Sequence, residues 1–365
     1  MQMEADVCIV GGGPGGLMLG YLLSKRQISV IVIERMSRLH KDFRGEHLNA
    51  EGEAVLAAEG LLADLDAAGM LLMERLEYMD KGRILKVIEP GPGERHMGIH
   101  VPQKHLLGVL AAHAEKNDGF ELMLNTTVTD MIFNDQGGAA GVMAKCGELD
   151  IAIHSKLVVG ADGRYSTVRK LARIPYQVHA HGYDLLWARI PSPPGWEPTV
   201  RMARVNGMQL ALFTQQGGWI QIGWNIAEGS YPLLRKQSVD PLRQALIEAC
   251  PELARAVPDW IRDWKDFVLL QVHSSSCESW VKDGVVLLGD AAHTFSPTGA
   301  YGVNGALKDA EVLLPIVEHA LHAGRSDAGA LKLFEQLRRP QVEEQQAVQR
   351  EKERSFAEMF ASLVS

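Results

Sequence analysis

The sequence predicts an α/β fold, in which a mostly parallel sheet is interleaved with an antiparallel sheet and followed by a helical segment. Three observations carry this. Ala5–Val10, Ile28–Ile33, Leu157–Gly160 and Gly284–Leu288 are short apolar runs without alternation, the pattern of strands buried on both faces. Glycine-rich or acidic turns end these runs and lead into helix-like stretches. From about Tyr176 to Gln271, alternation of period two replaces the continuous runs.

The first strand runs directly into Gly11-Gly-Gly-Pro-Gly-Gly16 and then a helix-like stretch, Leu17–Ser24. The spacing fits GxGxxG at Gly11, Gly13 and Gly16, with Pro14 and Gly15 between. Gly11 permits a tight turn, Gly13 lets the backbone approach a pyrophosphate, and Gly16 lets the helix lie on the strand. The helix N-terminus then presents free N–H groups and the positive end of its dipole to phosphate. The second strand ends in Glu34-Arg35, where a carboxylate can accept both hydroxyls of an adenosine ribose. Its charge disfavours a 2′-phosphate, so the residues alone leave FAD and NAD open. A Rossmann-type dinucleotide-binding unit is therefore predicted at the start of the chain.

Composition narrows the partners. Among 365 residues, 37 Lys and Arg face 45 Asp and Glu, a net charge of −8. That balance argues against nucleic acid and against docking on anionic lipid. Cys8, Cys146, Cys250 and Cys277 form no CxxC pair, so reduced thiols are expected rather than a disulfide framework or a zinc site. The apolar start follows Glu4 and Asp6 and soon meets glycines, unlike a signal peptide. No run of about 18 apolar residues suggests a membrane span. A cytoplasmic protein is expected.

Two further blocks extend the first. Leu157-Val-Val-Gly-Ala-Asp-Gly-Arg164 is a strand ended by Asp162-Gly163, and Ser166–Leu171 reads as a helix start. Gly284–Asp290 is another strand ended by an acid. It is followed by Ala291-Ala-His-Thr-Phe-Ser-Pro-Thr-Gly-Ala-Tyr-Gly-Val-Asn304 and a long helix from near Gly302. Leu307, Val312, Leu313, Ile316, Val317 and Leu321 give that helix its apolar stripe, and Pro315 should kink or break it.

With these motifs in their order and spacing, the chain resembles the class A flavoprotein monooxygenases, the aromatic hydroxylases of the para-hydroxybenzoate and ubiquinone-biosynthesis type. The resemblance implies FAD, held by the N-terminal glycines, Glu34 and Arg35. Arg44 and Gln103 would reach the phosphate and ribityl region, and Val128 would lie near the adenine. Asp162 and Gly163 would border the site, and Asp290 would bind the ribityl chain or its phosphate. Pro297 would lie against the flavin ring. The backbone N–H groups of Gly302, Val303 and Asn304 would face its pyrimidine edge, where a helix dipole eases reduction. It further implies NAD(P)H as a transient donor and O2 as co-substrate. A C4a-hydroperoxyflavin would then hydroxylate a small aromatic or heteroaromatic substrate. Ala300 stands where relatives usually carry glycine.

For catalytic side chains the candidates are His47, Pro297 and Tyr301. His47, about a turn after Arg44 in an expected helix, is the base candidate for a phenolic substrate, although a packing role is at least as plausible for a lone histidine. Tyr301 reads equally as cavity wall or packing. No metal is expected. His179 and His181 alternate on one face, but no third ligand accompanies them.

The expected organisation is an FAD-binding domain from residues 1–70, 98–175 and 276–330. A substrate domain comes from 71–97 and 176–275, and C-terminal helices from 331–365. In the substrate half, Met208–Phe213 and Trp219–Ile226 alternate around a Gln215–Gly218 turn. Ile220, Ile222, Trp224 and Ile226 share one face and Gln221 and Asn225 the other, as in a half-exposed sheet. The charges after Ala330 read as a solvated face. The alternative reading is a flavin-dependent reductase, dehydrogenase or epoxidase acting on a prenyl or other apolar substrate. A halogenase is not expected, because no Trp-x-Trp-x-Ile-Pro stretch occurs. A monomer or homodimer is anticipated.

Overall fold

Parallel strands must bury both faces, and the computed structural model shows how these runs do so. It describes residues 1–39, 47–205 and 207–364. The chain begins with β1 (Gln2–Val10), α1 (Pro14–Lys25) and β2 (Val30–Ile33). After these come β3 (His47–Leu48), α2 (Ala50–Ala58), α3 (Leu62–Gly69), β4 (Leu71–Leu72), β5 (Arg75–Asp80) and β6 (Arg83–Ile88). The chain returns through β7 (Ile99–His100), α4 (Gln103–Ala114), β8 (Phe120–Met123), β9 (Thr126–Phe133), β10 (Ala139–Cys146), β11 (Leu149–Gly160) and α5 (Thr167–Leu171). The middle section holds β12 (Tyr176–Pro191), β13 (Thr199–Val205), β14 (Met208–Gln215), β15 (Trp219–Ala227), α6 (Tyr231–Leu234), α7 (Asp240–Ala249) and α8 (Ala256–Trp260). It closes with β16 (Val268–Cys277), β17 (Val281–Lys282), β18 (Val285–Leu287), β19 (His293–Thr294), α9 (Tyr301–His322) and α10 (Ala328–Val364).

The first sheet runs β17-β18-β11-β1-β2-β8, with β10 paired to β11 and β9 to β10. From β18 to β8 its strands are parallel, with Val7 opposite both Leu157 and Val30. Val7, Cys8, Ile9, Val30, Val158 and Val286 are completely buried, as two-sided strands require. Because these strands are parallel neighbours, their carboxyl ends lie along one edge, where open α/β sheets bind ligands.

The second sheet runs β19-β16-β12-β15-β14-β13-β5-β6. The predicted hairpin is present, with Gln215 opposite Trp219. The sheet is not wholly antiparallel, since β5 lies parallel to β13. The segment between them leaves this sheet to build part of the first one, and it returns with the same strand direction. Leu186, Ala188, Ile190, Ile220, Ile222 and Trp224 pack with residues of α7 and α8. The opposite face is less exposed than the alternation suggests. Gln221 is buried there and accepts a hydrogen bond from Gln215 Nε2 at 2.6 Å. That face is turned toward the first unit, because Tyr183 on β12 meets Thr298 at 3.2 Å between their hydroxyl oxygens.

The C-terminal segment corrects two expectations. α9 continues through Pro315, whose neighbours Leu313, Ile316 and Val317 are anchored in the core and offset the missing backbone donor. After it, α10 is one helix whose polar residues are not all solvated: Arg338 and Gln349 are fully buried, and Glu335 and Gln346 nearly so. A polar face at helical spacing looks solvated in sequence when its partners are backbone and polar groups of other elements. Among the described residues, no helix is long and apolar enough to cross a membrane.

Candidate active site

The loops after β1, β2, β11 and β18 converge on the shared edge. Gly11 has φ 114°, and a Cβ there would lie 2.3 Å from the Ala161 carbonyl oxygen, so the first two loops touch through backbone. At Gly16 a Cβ would come within 2.0 Å of the Gly11 carbonyl oxygen, which presses the start of α1 onto the turn. Gly15 packs against Leu288 and Ala306, joining α1 to α9. Gly13 differs: its φ is an ordinary −80°, and among the described residues no atom lies within 4 Å of its would-be Cβ. Pro14 then opens α1 at a position where its missing donor costs nothing.

Glu34 ends β2 and is buried. Its Oε2 accepts from Gly12 N at 2.9 Å and its Oε1 from Met36 N at 3.0 Å, which fixes the carboxylate beside the glycine turn with lone pairs to spare. Thr126 N donates to the Glu34 carbonyl at 3.0 Å and so brings β9, with buried Val128, alongside. Arg35 is exposed. Gln103 opens α4, and its buried Oε1 has no hydrogen-bond partner among the described residues. Arg44 lies outside the described residues.

The Asp162 carboxylate is committed to the chain. It accepts from the Ser166 hydroxyl, from Thr167 N at 2.6 Å and from Val168 N at 3.1 Å, capping α5. Burial raises its pKa against the pull of those donors. A ligand at this loop therefore meets backbone and Gly163, which has φ 82° and open space at its would-be Cβ. Asp290 sits on a single turn of 3₁₀ helix, with its Oδ2 3.3 Å from Arg164 Nε. Buried Arg169 ties both loops together through Ala291 O at 2.9 Å and Arg164 O at 2.7 Å.

The turn into α9 is left-handed twice, at Gly299 (φ 77°) and Ala300 (φ 56°, ψ 35°). Pro297, half-buried, precedes it, and Gly302 has nothing within 4 Å of its would-be Cβ. Val303 and Asn304 complete the first turn, where N–H groups lack helical partners. The Asn304 side chain is spent internally: Nδ2 donates to His47 O at 3.0 Å, and Oδ1 accepts from Asn49 N at 3.1 Å. Tyr301 turns its ring to Phe295, with centroids 5.8 Å apart, a packing contact.

His47 is in a two-residue strand paired with His100, and the helix expected around it starts only at Ala50, capped by Asn49. Burial, reinforced by His100 and His96, pushes its imidazole down to about 4. It is therefore neutral at pH 7 but a weak base. His181 does not pair with His179 as a ligand set. It bonds Glu353 and Ser274 instead, at 2.6 and 3.0 Å.

Among the described residues, a buried carboxylate, an amide oxygen without a partner, open space over three glycines, and a helix start on one edge fit an extended dinucleotide. A family model described as an FAD binding domain matches residues 4–350. The chain is 33% identical over 350 residues to the 6-methylpretetramide 4-monooxygenase of Streptomyces rimosus, across 95% of this chain and 83% of that protein. It belongs to the FAD-dependent monooxygenase family. Kynurenine 3-monooxygenase of Salinispora tropica is 24% identical over 356 residues, 92% of this chain and 77% of the relative. PqsL, described as a probable FAD-dependent monooxygenase from Pseudomonas aeruginosa, shares the fold with a TM-score of 0.84 at 22% identity, over 99% of each chain.

Opposite the α9 turn, the monooxygenase presents Tyr183, Leu185 and Trp187 from alternate positions of β12. The Trp187 ring lies across Gly223, where a Cβ would come within 2.7 Å of it. Its centroid is 6.1 Å from that of Phe213, and its buried Nε1 has no partner among the described residues. Sequence reasoning missed this aromatic pair. Its one signal was Gly223 interrupting the Ile220–Ile226 alternation, since a bare backbone on a strand admits a large neighbour.

Proposed function

We propose that this monooxygenase uses NAD(P)H and O2 to hydroxylate a small aromatic or heteroaromatic molecule lying between the α9 turn and the Trp187–Phe213 face. The observation that carries the reading is the Tyr183–Thr298 hydroxyl contact, which sets the substrate-half sheet against the loop that leads into α9. The aromatic substrates implied by the relatives' names support the same class.

In this reading the backbone at Gly13, Pro14, Gly15 and Gly16 holds the pyrophosphate, and Glu34 takes the ribose hydroxyls with Val128 near the adenine. Gln103 Oε1 and Arg44 serve the phosphate and ribityl region with Asp290, while Gly11 and Gly163 keep the approach clear. FAD held there would supply the redox chemistry, in which two electrons from NAD(P)H allow one oxygen atom of O2 to enter the substrate while the other leaves as water. The chain supplies the setting. The N–H groups of Gly302, Val303 and Asn304 and the α9 dipole stabilise negative charge at the pyrimidine edge. Pro297 and Tyr301 wall the loop side and exclude water. Trp187 and Phe213 take the substrate ring, and the Trp187 indole N–H donates to a carbonyl or phenolic oxygen on it. A base of pKa about 4 abstracts phenolic protons poorly at neutral pH, so His47 is assigned a hydrogen-bonding role.

The test is turnover of the FAD-loaded protein with NADH or NADPH and a panel of mono- to tetracyclic phenols under isotopically labelled dioxygen. A product carrying one labelled oxygen is expected. Substrate-dependent NAD(P)H consumption that yields only unlabelled, reduced or dehydrogenated product would sink the hydroxylase reading.

A further inference from the structure

The segment from Thr294 to Thr298 leaves β19 and carries Pro297 toward the turn at Gly299–Ala300. Its strand ends at Thr294 and the chain bends at Pro297 (φ −65°, ψ −20°), so its backbone carbonyls need partners from elsewhere. Among the described residues, no strand pairs with it beyond Thr294. The α10 helix supplies the partners from its side chains instead. Gln346 Nε2 donates to Thr294 O at 3.0 Å and to Ser275 O at 3.2 Å on β16. Gln349 Nε2 donates to Ser296 O at 2.8 Å and to Thr298 O, and its Oε1 accepts from Ser296 N at 3.3 Å. One turn further on, Glu353 takes the hydroxyls. Its Oε1 accepts from Ser296 Oγ at 2.6 Å, Thr298 Oγ1 at 2.7 Å and Tyr183 Oη at 2.9 Å. Its Oε2 lies 2.6 Å from His181 Nδ1. Residues 346, 349 and 353 stand at i, i+3 and i+7, a single helix face.

Glu353 therefore joins three parts of the fold at one carboxylate: α10, the loop before α9, and β12 of the substrate-half sheet through Tyr183 and His181. The two glutamines fix only backbone, which would hold the loop near the helix with its side chains free to turn. The Glu353 contacts orient the Ser296 and Thr298 side chains on either side of Pro297, and they set the spacing between the loop and the Tyr183–Leu185–Trp187 face. We propose that Glu353 is a positioning residue for the oxygenation reaction, fixing the Pro297 loop against the flavin and the substrate sheet at the same time. The inference rests on the reading above, in which Pro297 and the start of α9 face the flavin ring.

Charge-assisted hydrogen bonds to a carboxylate are the strong kind, and three hydroxyls converge here on one oxygen of the half-buried Glu353. Glu353→Ala removes the acceptor those three donors share. Glu353→Gln keeps an acceptor oxygen in the same place, and its amide can donate to His181 Nδ1 while the other ring nitrogen donates to Ser274. The measurements are the FAD dissociation constant and the visible spectrum of the bound flavin, with the unfolding temperature of the flavin-free protein recorded alongside. Glu353→Ala should weaken FAD about tenfold, the equivalent of one strong hydrogen bond, and should shift the flavin bands. Glu353→Gln should restore both to near wild type. Glu351→Ala, an exposed position two residues earlier, should change neither.

Thr298→Val is the second arm, nearly isosteric and removing one of the three donors. A smaller weakening in the same direction supports the proposal. Wild-type flavin affinity and spectrum in Thr298→Val and Glu353→Ala overturn it, as does wild-type behaviour of Thr298→Val alone where the alanine variant does not fold. A wild-type protein that takes up no FAD would instead remove the cofactor reading on which the proposal stands.

Discussion

Asp309 Oδ1 accepts the Nε–H of Arg338 at 2.8 Å, and neither side chain has any solvent exposure. Asp309 Oδ2 accepts from Gly289 N and faces His293 Nε2, each at 2.8 Å. One carboxylate from α9 thus binds α10 to the turn that carries Asp290. Burial alone would raise the Asp309 carboxyl, but His293 and Arg338 together hold it down to about 2. Replacing Arg338 with Met leaves Asp309 Oδ1 without its cationic partner, the buried carboxylate keeping only Gly289 N and His293 on Oδ2, and the expected loss is about 3–5 kcal/mol. Adding Asp309→Leu should recover part of it, because no unpaired charge then remains. Urea unfolding of both variants checks this, and a cost below about 1 kcal/mol in Arg338→Met would show that the pair contributes little.

Ala300 is a non-glycine residue held at φ 56° in the turn into α9. A Cβ in the left-handed region costs about 1 kcal/mol, and glycine regains only part of that in unfolded-chain entropy. Ala300→Gly should therefore raise unfolding stability by roughly 0.5 kcal/mol. The check is the thermal midpoint of the flavin-free protein. A lower midpoint would mean that the Ala300 methyl makes packing contacts worth more than its strain.

The His47 imidazole is held at about 4, below its ordinary 6.5, so the unfolded chain takes up the proton first. Its contribution is constant above about 6.5, and stability is lost as pH falls from there toward 4. By pH 5 that loss is on the order of 2 kcal/mol, and below 4 it stops growing. His47→Gln should flatten the stability profile between pH 6.5 and 4 without changing it at pH 8. A profile identical to the parent's would place the ring in water rather than against His96 and His100.

Legibility in the sequence followed the kind of partner each residue has. Strands buried on both faces are apolar without interruption, so β1, β2, β11 and β18 were readable from Val7, Val30, Val158 and Val286 alone. The glycines were readable because each answers to its own backbone. The two polar sides of the molecule were not. Gln221 and Gln349 look solvent-facing in any local window, and only the fold brings Gln215 and Ser296 to them. The resemblance puts Asp162 at the cofactor edge; that its carboxylate also caps the helix that begins five residues later is visible only in the fold. Arg164, which reaches Asp290 across 126 residues of chain, has no sequence signal at all.

Gly13 and Gly11 separate folding from binding within one motif. Gly11 has φ 114° and sits against Ala161 backbone, so Gly11→Ala should cost several kcal/mol and impair folding. Gly13 has an ordinary φ of −80° and open space at its would-be Cβ, so alanine there meets no atom of the described residues. Less unfolded-chain entropy should make Gly13→Ala neutral or up to about 1 kcal/mol more stable without flavin. Yet the added methyl would fill the space assigned above to the pyrophosphate at the N-terminus of α1, so on that reading FAD should bind at least about tenfold more weakly. Calorimetry of the flavin-free variant and FAD titration of the same sample measure the two effects separately. Undiminished FAD affinity in Gly13→Ala would move the phosphates away from this turn, and with them the adenosine assigned to Glu34.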